Sequence, residues 1–182
     1  MLKREMVKRG WKAMGMKMGI AAAAVIIGLA AVPGTAEAKM ENGSFVSIAG
    51  GAVDSITVNG VTVEALYAPY GSGTDTDTTY SCAAFVKRFY SQVYGRDVYN
   101  LNTTTSTPLI DQGSFSKTNS PKVGDILRDD KSVHWAIVKE VNGDTITVIQ
   151  QNAWNGAYDK AWVGATVDVD DSRYTFFRWS GN

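Results

Sequence analysis

The chain has 182 residues, room for one domain, with 18 basic and 18 acidic residues, one cysteine and one histidine. That balance excludes a protein built on a basic nucleic-acid stripe, and a single cysteine excludes an internal disulfide.

The first 38 residues read as a secretory signal. A basic stretch (Lys3, Arg4, Lys8, Arg9, Lys12, Lys17) leads into an uncharged apolar run over 18–32, then Pro33-Gly34, then the small-x-small Ala36-Glu37-Ala38. The apolar run of 15 residues falls short of the roughly 20 that a membrane span needs. The expectation is therefore cleavage after Ala38, export, and no stable membrane anchor afterwards. Removing those six basic and two acidic residues leaves 12 basic and 16 acidic in 39–182, a net charge of −4. That is enough chain for one real core.

Residues 39–66 read as a short β extension, with an apolar run at 44–49 and then a hairpin. In the hairpin, Ser55-Ile56-Thr57-Val58 and Val61-Thr62-Val63-Glu64 flank Asn59-Gly60, the strongest short hairpin signal. A polar loop at 70–79 contains Asp75 and Asp77. Two acids without a following Glu read as a solvated loop rather than a calcium site, so no metal and no cofactor are expected.

A helix follows over about 81–94 and stops at Gly95. Phe85, Val86, Phe89, Tyr90 and Val93 make one apolar face, and Thr78, Thr79 and Ser81 supply N-caps. Residues 100–122 read as a long surface loop. Strands are then predicted at 125–127, 135–141, 145–150, 161–169 and 174–179, with Asn142-Gly143-Asp144 as the tight link between the second and third. The plan is α+β: a helix with the cysteine at its start, packed on an antiparallel sheet.

Cys82 opens that helix. A helix N-terminus carries a partial positive charge and unpaired N–H groups, which favour thiolate over thiol and can hold an oxyanion. The competing reading is a buried packing cysteine. His134, at the start of a strand, is the one side chain available as its base. Sixteen residues later, beyond the Asn142-Gly143 turn, Gln150 and Asn152 share a strand face. Either side-chain carbonyl is placed to accept the His Nδ1–H and orient the ring. Trp135 and Trp154, with Tyr80, are candidates to line a substrate cleft; core packing competes for the two tryptophans.

Four segments in order resemble the CHAP group (cysteine, histidine-dependent amidohydrolases/peptidases) of papain-like enzymes, close to NlpC-like peptidases. They are Tyr80-Ser81-Cys82-Ala83-Ala84-Phe85-Val86, Pro121-Lys122-Val123-Gly124-Asp125-Ile126-Leu127, His134-Trp135-Ala136-Ile137-Val138 and Val148-Ile149-Gln150-Gln151-Asn152. The resemblance covers roughly 67–179, so 67–182 is expected to be the hydrolase domain. It implies a papain-like fold, Cys82 as nucleophile and His134 as base. It also implies a secreted or cell-wall-associated monomer acting on amide bonds of peptidoglycan or a peptide. One position departs from the pattern: Gln150 stands where CHAP sequences usually carry Glu. The alternatives are an inactive binding module on the same scaffold, or a protease or acyltransferase acting on protein.

Overall fold

Alternating residues about an Asn-Gly pair and an amphipathic segment bounded by Ser and Gly are enough to form the first elements of the fold. A computed structural model describes residues 43–47, 51–67, 79–99, 101, 109, 113–152 and 160–182, all within the compact unit Thr35–Asn182. The predicted signal, Asp75, Asp77 and Trp154 lie outside the described residues.

Strand β1 (Ser44–Ser47) is followed by β2 (Gly51–Val58) and β3 (Val61–Tyr67). Asn59 and Gly60 have φ of 52° and 77°. Positive φ at both turn residues is the type I′ geometry, whose twist matches the strands it joins. Val58 pairs with Val61 and Thr57 with Thr62, and the two threonine hydroxyls lie 2.8 Å apart. The hairpin buries Ile56, Val63, Ala65 and Tyr67 in the same core as the helix.

Helix α1 (Cys82–Tyr94) starts where Ser81 Oγ accepts the Ala84 N–H and ends at Gly95, whose φ of 62° is left-handed. Its buried residues include Cys82, Phe85, Val86, Phe89 and Tyr90, the face that the spacing predicts. The helix packs against β3 and β6 (His134–Asn142).

The main sheet has six antiparallel strands in the order β4-β10-β5-β6-β7-β9. The members not yet placed are β4 (Phe115–Thr118), β5 (Ile126–Asp129), β7 (Thr145–Gln150), β9 (Thr166–Asp168) and β10 (Tyr174–Trp179). A separate strand, β8 (Lys160–Val163), pairs with β1. Side chains alternate between two cores, as a strand's period of two requires. Trp135, Ile137 and Phe177 join the helix-side cluster, while Ala136, Val138 and Phe176 join a second one.

Two expectations change. Residues 115–118 are a strand, not loop; their polar sequence hides an edge strand that pairs with β10 and contributes Phe115 to the aromatic packing around Tyr90. The single strand expected over 161–169 is two, because Gly164 turns the chain at φ 66°.

Candidate active site

Cys82 is the first residue of α1 and 6% exposed. His134 is the first residue of β6 and half-buried. The two are joined by a side-chain hydrogen bond. On the other side of the ring, His134 Nε2 lies 2.8 Å from Gln150 Oε1. With Nε2 engaged by Gln150, Nδ1 is the nitrogen left for the sulfur. The sequence expectation placed the orienting amide on Nδ1; the structure places it on Nε2.

The choice between Gln150 and Asn152 is made by backbone geometry. Asn142 pairs with Thr145 and Glu140 with Thr147, but Val138 then pairs with Val148 and Ala136 with Gln150. A bulge at Lys139 inserts one extra residue into β6. Without it, the turn's register would set Gln150 opposite Ile137, on the face away from His134. A one-residue shift exchanges faces, and so Gln150 joins the histidine's side. Its pairing with Ala136 makes it the diagonal neighbour of His134, within reach of a long side chain. Asn152 would be directly opposite. However, β7 ends at Gln150 and Asn152 is left-handed, with φ 52°; the hydrogen bond to the ring goes to Gln150.

The approach to His134 is strained. Val133 has φ 53°, and a β-branched residue there is a true outlier. Asp129 enforces it. This carboxylate accepts from the Lys131 and Ser132 N–H groups and from Ser132 Oγ. It also takes a two-pronged contact from Arg173, at 2.9 and 2.6 Å. Asp129 pairs directly with His134 across β5 and β6. Since a left-handed residue with a side chain costs about 1–2 kcal/mol, Val133→Gly is expected to leave stability within about 0.5 kcal/mol of the parent, strain relief offsetting the added chain entropy. The same change at buried Val138 is expected to cost about 2–4 kcal/mol. Denaturant melts of the two variants check the contrast, and equal losses would rule out strain at 133.

Burial is the largest influence on His134 and lowers its pKa. The Cys82 charge and hydrogen bond, the Gln150 hydrogen bond and the Asp129 charge oppose it, and the net result is a raised pKa. That balance favours the protonated imidazole. Gln150 is neutral and adds no charge to that balance. Its own Nε2 is buried without a partner among the described residues.

The cysteine, its histidine partner and an amide on the far ring nitrogen stand in one line, on segments that a family comparison also joins. Residues 72–152 match the CHAP domain. CHAP domains are generally hydrolases of amidase or peptidase type, and the matched span holds Cys82, His134 and Gln150. No curated protein and no solved structure matches the chain.

Within the CHAP region, Trp135 does not fit the cleft role considered for it. It is 1% exposed, its indole N–H donates to Leu101 O, and it packs against Arg128 and Phe177. As the strand neighbour of His134 it points to the opposite face, into the core. Tyr80 is half-buried, two residues before Cys82. Among the described residues no group of His, Cys, Asp or Glu is arranged to hold a metal. Three side chains around Cys82 and His134 escaped sequence reasoning: Asp129, Arg88 and Gln151. Asp129 sits in a run of charged residues that reads as a solvated turn. Arg88 reads as an exposed helix residue, yet it donates to Glu64 O and Gln151 Oε1.

Proposed function

We propose that the protein is an exported cysteine hydrolase of papain-like plan that cleaves amide bonds of peptidoglycan. The observation that carries the reading is the line Cys82–His134–Gln150, with its sulfur at a helix start and a net-raised histidine pKa. In the proposed cycle His134 Nδ1 holds the thiol proton and the Cys82 thiolate attacks the substrate carbonyl carbon. The carbonyl electron pair moves to oxygen, where N–H groups of the first helical turn stabilise it. As the intermediate collapses, the C–N bond breaks, and Nδ1–H protonates the departing amine. A thioester remains. Water then gives a proton to the same nitrogen, attacks the thioester, and releases the acid and the thiol. Gln150 Oε1 accepts from Nε2–H throughout, which keeps Nδ1 as the nitrogen that exchanges protons. A neutral amide is sufficient for that orienting task.

The CHAP match supports amide hydrolysis. The basic, apolar and small-residue order of the first 38 residues supports export, and the resemblance of the four segments supports a cell-wall substrate. The test is the rate of Cys82 alkylation by iodoacetamide against pH on the chain from Lys39 onward, with peptidoglycan digests in parallel. Rapid labelling well below the ordinary thiol pKa of about 8.5, slowed in His134→Ala, is expected, together with release of new amino groups from the wall. Labelling that rises only near pH 8.5 and ignores the histidine would overturn the reading.

A further inference from the structure

Gln150 is the last residue of β7 and Gln151 follows it directly, and successive residues leaving a strand turn their side chains to opposite faces. Gln150 faces the histidine. Gln151 is fully buried on the helix side. A primary amide offers two donors and an acceptor with two lone pairs, and Gln151 uses all of them. Its Oε1 accepts from Leu66 N at 2.7 Å and from Arg88 Nη2. Its Nε2 donates to Thr79 O at 3.0 Å and to Ser81 O at 3.2 Å.

The last of these contacts bears on the site. The Ser81 carbonyl belongs to the peptide unit that ends at the Cys82 nitrogen, and it also accepts the first helical bond, from Phe85 N. We propose that Gln151 is the positioning residue for the nucleophile: it pins the peptide unit entering Cys82 while its neighbour Gln150 holds His134. The inference rests on the Cys82–His134 reading given above. One dipeptide thereby ties the thiol and its base to a common piece of backbone, which Tyr67 further secures by donating its hydroxyl to Gln150 O at 3.0 Å. Arg88 and the hairpin strand β3 hold the amide from behind, so the hairpin is coupled to the site through this side chain. A buried polar group with every bond made specifies one arrangement of its partners. An error near 1 Å in a reacting pair is enough to cost about 100-fold in rate.

The experiment uses Gln151→Met, which is similar in size, uncharged, and removes all four bonds, and Gln151→Asn, whose amide is too short to span both sides. Each is combined with His134→Ala, and Cys82 alkylation is followed against pH in proteins shown to be folded by circular dichroism. Alkylation of Gln151→Met at pH 6.5 is expected to fall about tenfold, as a rise of one unit in thiol pKa requires. Adding His134→Ala to it is expected to change the rate little, because the coupling is already lost. Gln151→Asn is expected to lie between Met and the parent, and decides the matter should Gln151→Met not fold. A folded Gln151 variant that keeps the parent pH profile and its full response to His134→Ala overturns the positioning role and leaves the Cys–His mechanism intact. A parent protein whose labelling ignores His134 removes that mechanism and the positioning role with it.

Discussion

Cys82→Ala is expected to abolish amide hydrolysis, a loss on the order of 10⁴–10⁶-fold, while leaving the fold in place. The sulfur contributes one heavy atom at a helix start whose cap, Ser81 Oγ accepting from Ala84 N–H, does not involve it, so the stability cost should stay near about 1 kcal/mol. The same variant carries a second readout. His134 is the only histidine in the chain, so its imidazole resonance can be titrated by NMR without assignment. Burial pulls its pKa down, and the charge and hydrogen bond of Cys82 are the foremost opposing influences. Deleting the sulfur leaves burial against Gln150 and Asp129 alone, so the pKa must fall.

The linkage sign follows from the raised folded-state value. His134 contributes stability that is fully present below the ordinary imidazole pKa of about 6.5 and is lost as pH rises through the folded value. In Cys82→Ala that contribution shrinks. Retained turnover would refute the nucleophile, and an unmoved histidine would refute the pairing.

Asp129→Ala should cost about 3 kcal/mol, the low end for breaking a buried ion pair because Arg173 keeps some exposure. The carboxylate is 1% exposed and holds the 131–132 turn as well as the guanidinium. Burial alone would raise its pKa. The hydrogen bonds from Arg173, Ser132 and Lys131 and the Arg173 charge prevail, and the pKa is lowered. A depressed carboxylate contributes stability above its unfolded pKa of about 3.9 and loses it as pH falls through the folded value. The gap between parent and variant should therefore be full at neutral pH and close in acid. Urea midpoints measured across that range check it; a gap under about 1 kcal/mol at pH 7 would mean that Arg173 and the turn hold without the carboxylate. Since Asp129 also stands directly across from His134, slower Cys82 alkylation should accompany the loss.

Much of the local framework is legible in the sequence because short-range chemistry dictates it. Ser81 and Gly95 bracket the helix, since an N-cap oxygen and a left-handed C-terminal residue satisfy the groups a helix leaves unpaired. Asn59-Gly60 makes a hairpin because both residues tolerate positive φ. The position of Cys82 at the helix start and of His134 at a strand start follows from the same reasoning. Strand β4 was missed, because Ser116, Lys117 and Thr118 have no pattern of their own and are strand only through pairing with β10.

The sequence by itself determined which residue types could do chemistry and where along the chain they fall in local structure. The tertiary structure decided how they meet. Strict pairing from the Asn142-Gly143 turn would have turned Gln150 away from His134; the bulge at Lys139, whose ammonium meets Asp54 of the hairpin, brings it back. The left-handed backbone at Asn152 took that residue out of the ladder, and core packing claimed Trp135. Gln151 gained its role from Leu66, Thr79, Ser81 and Arg88, all distant from it in sequence. The reason is physical. Caps and tight turns are local balances of a few adjacent residues, whereas register and face depend on contacts between segments that only the folded chain brings together.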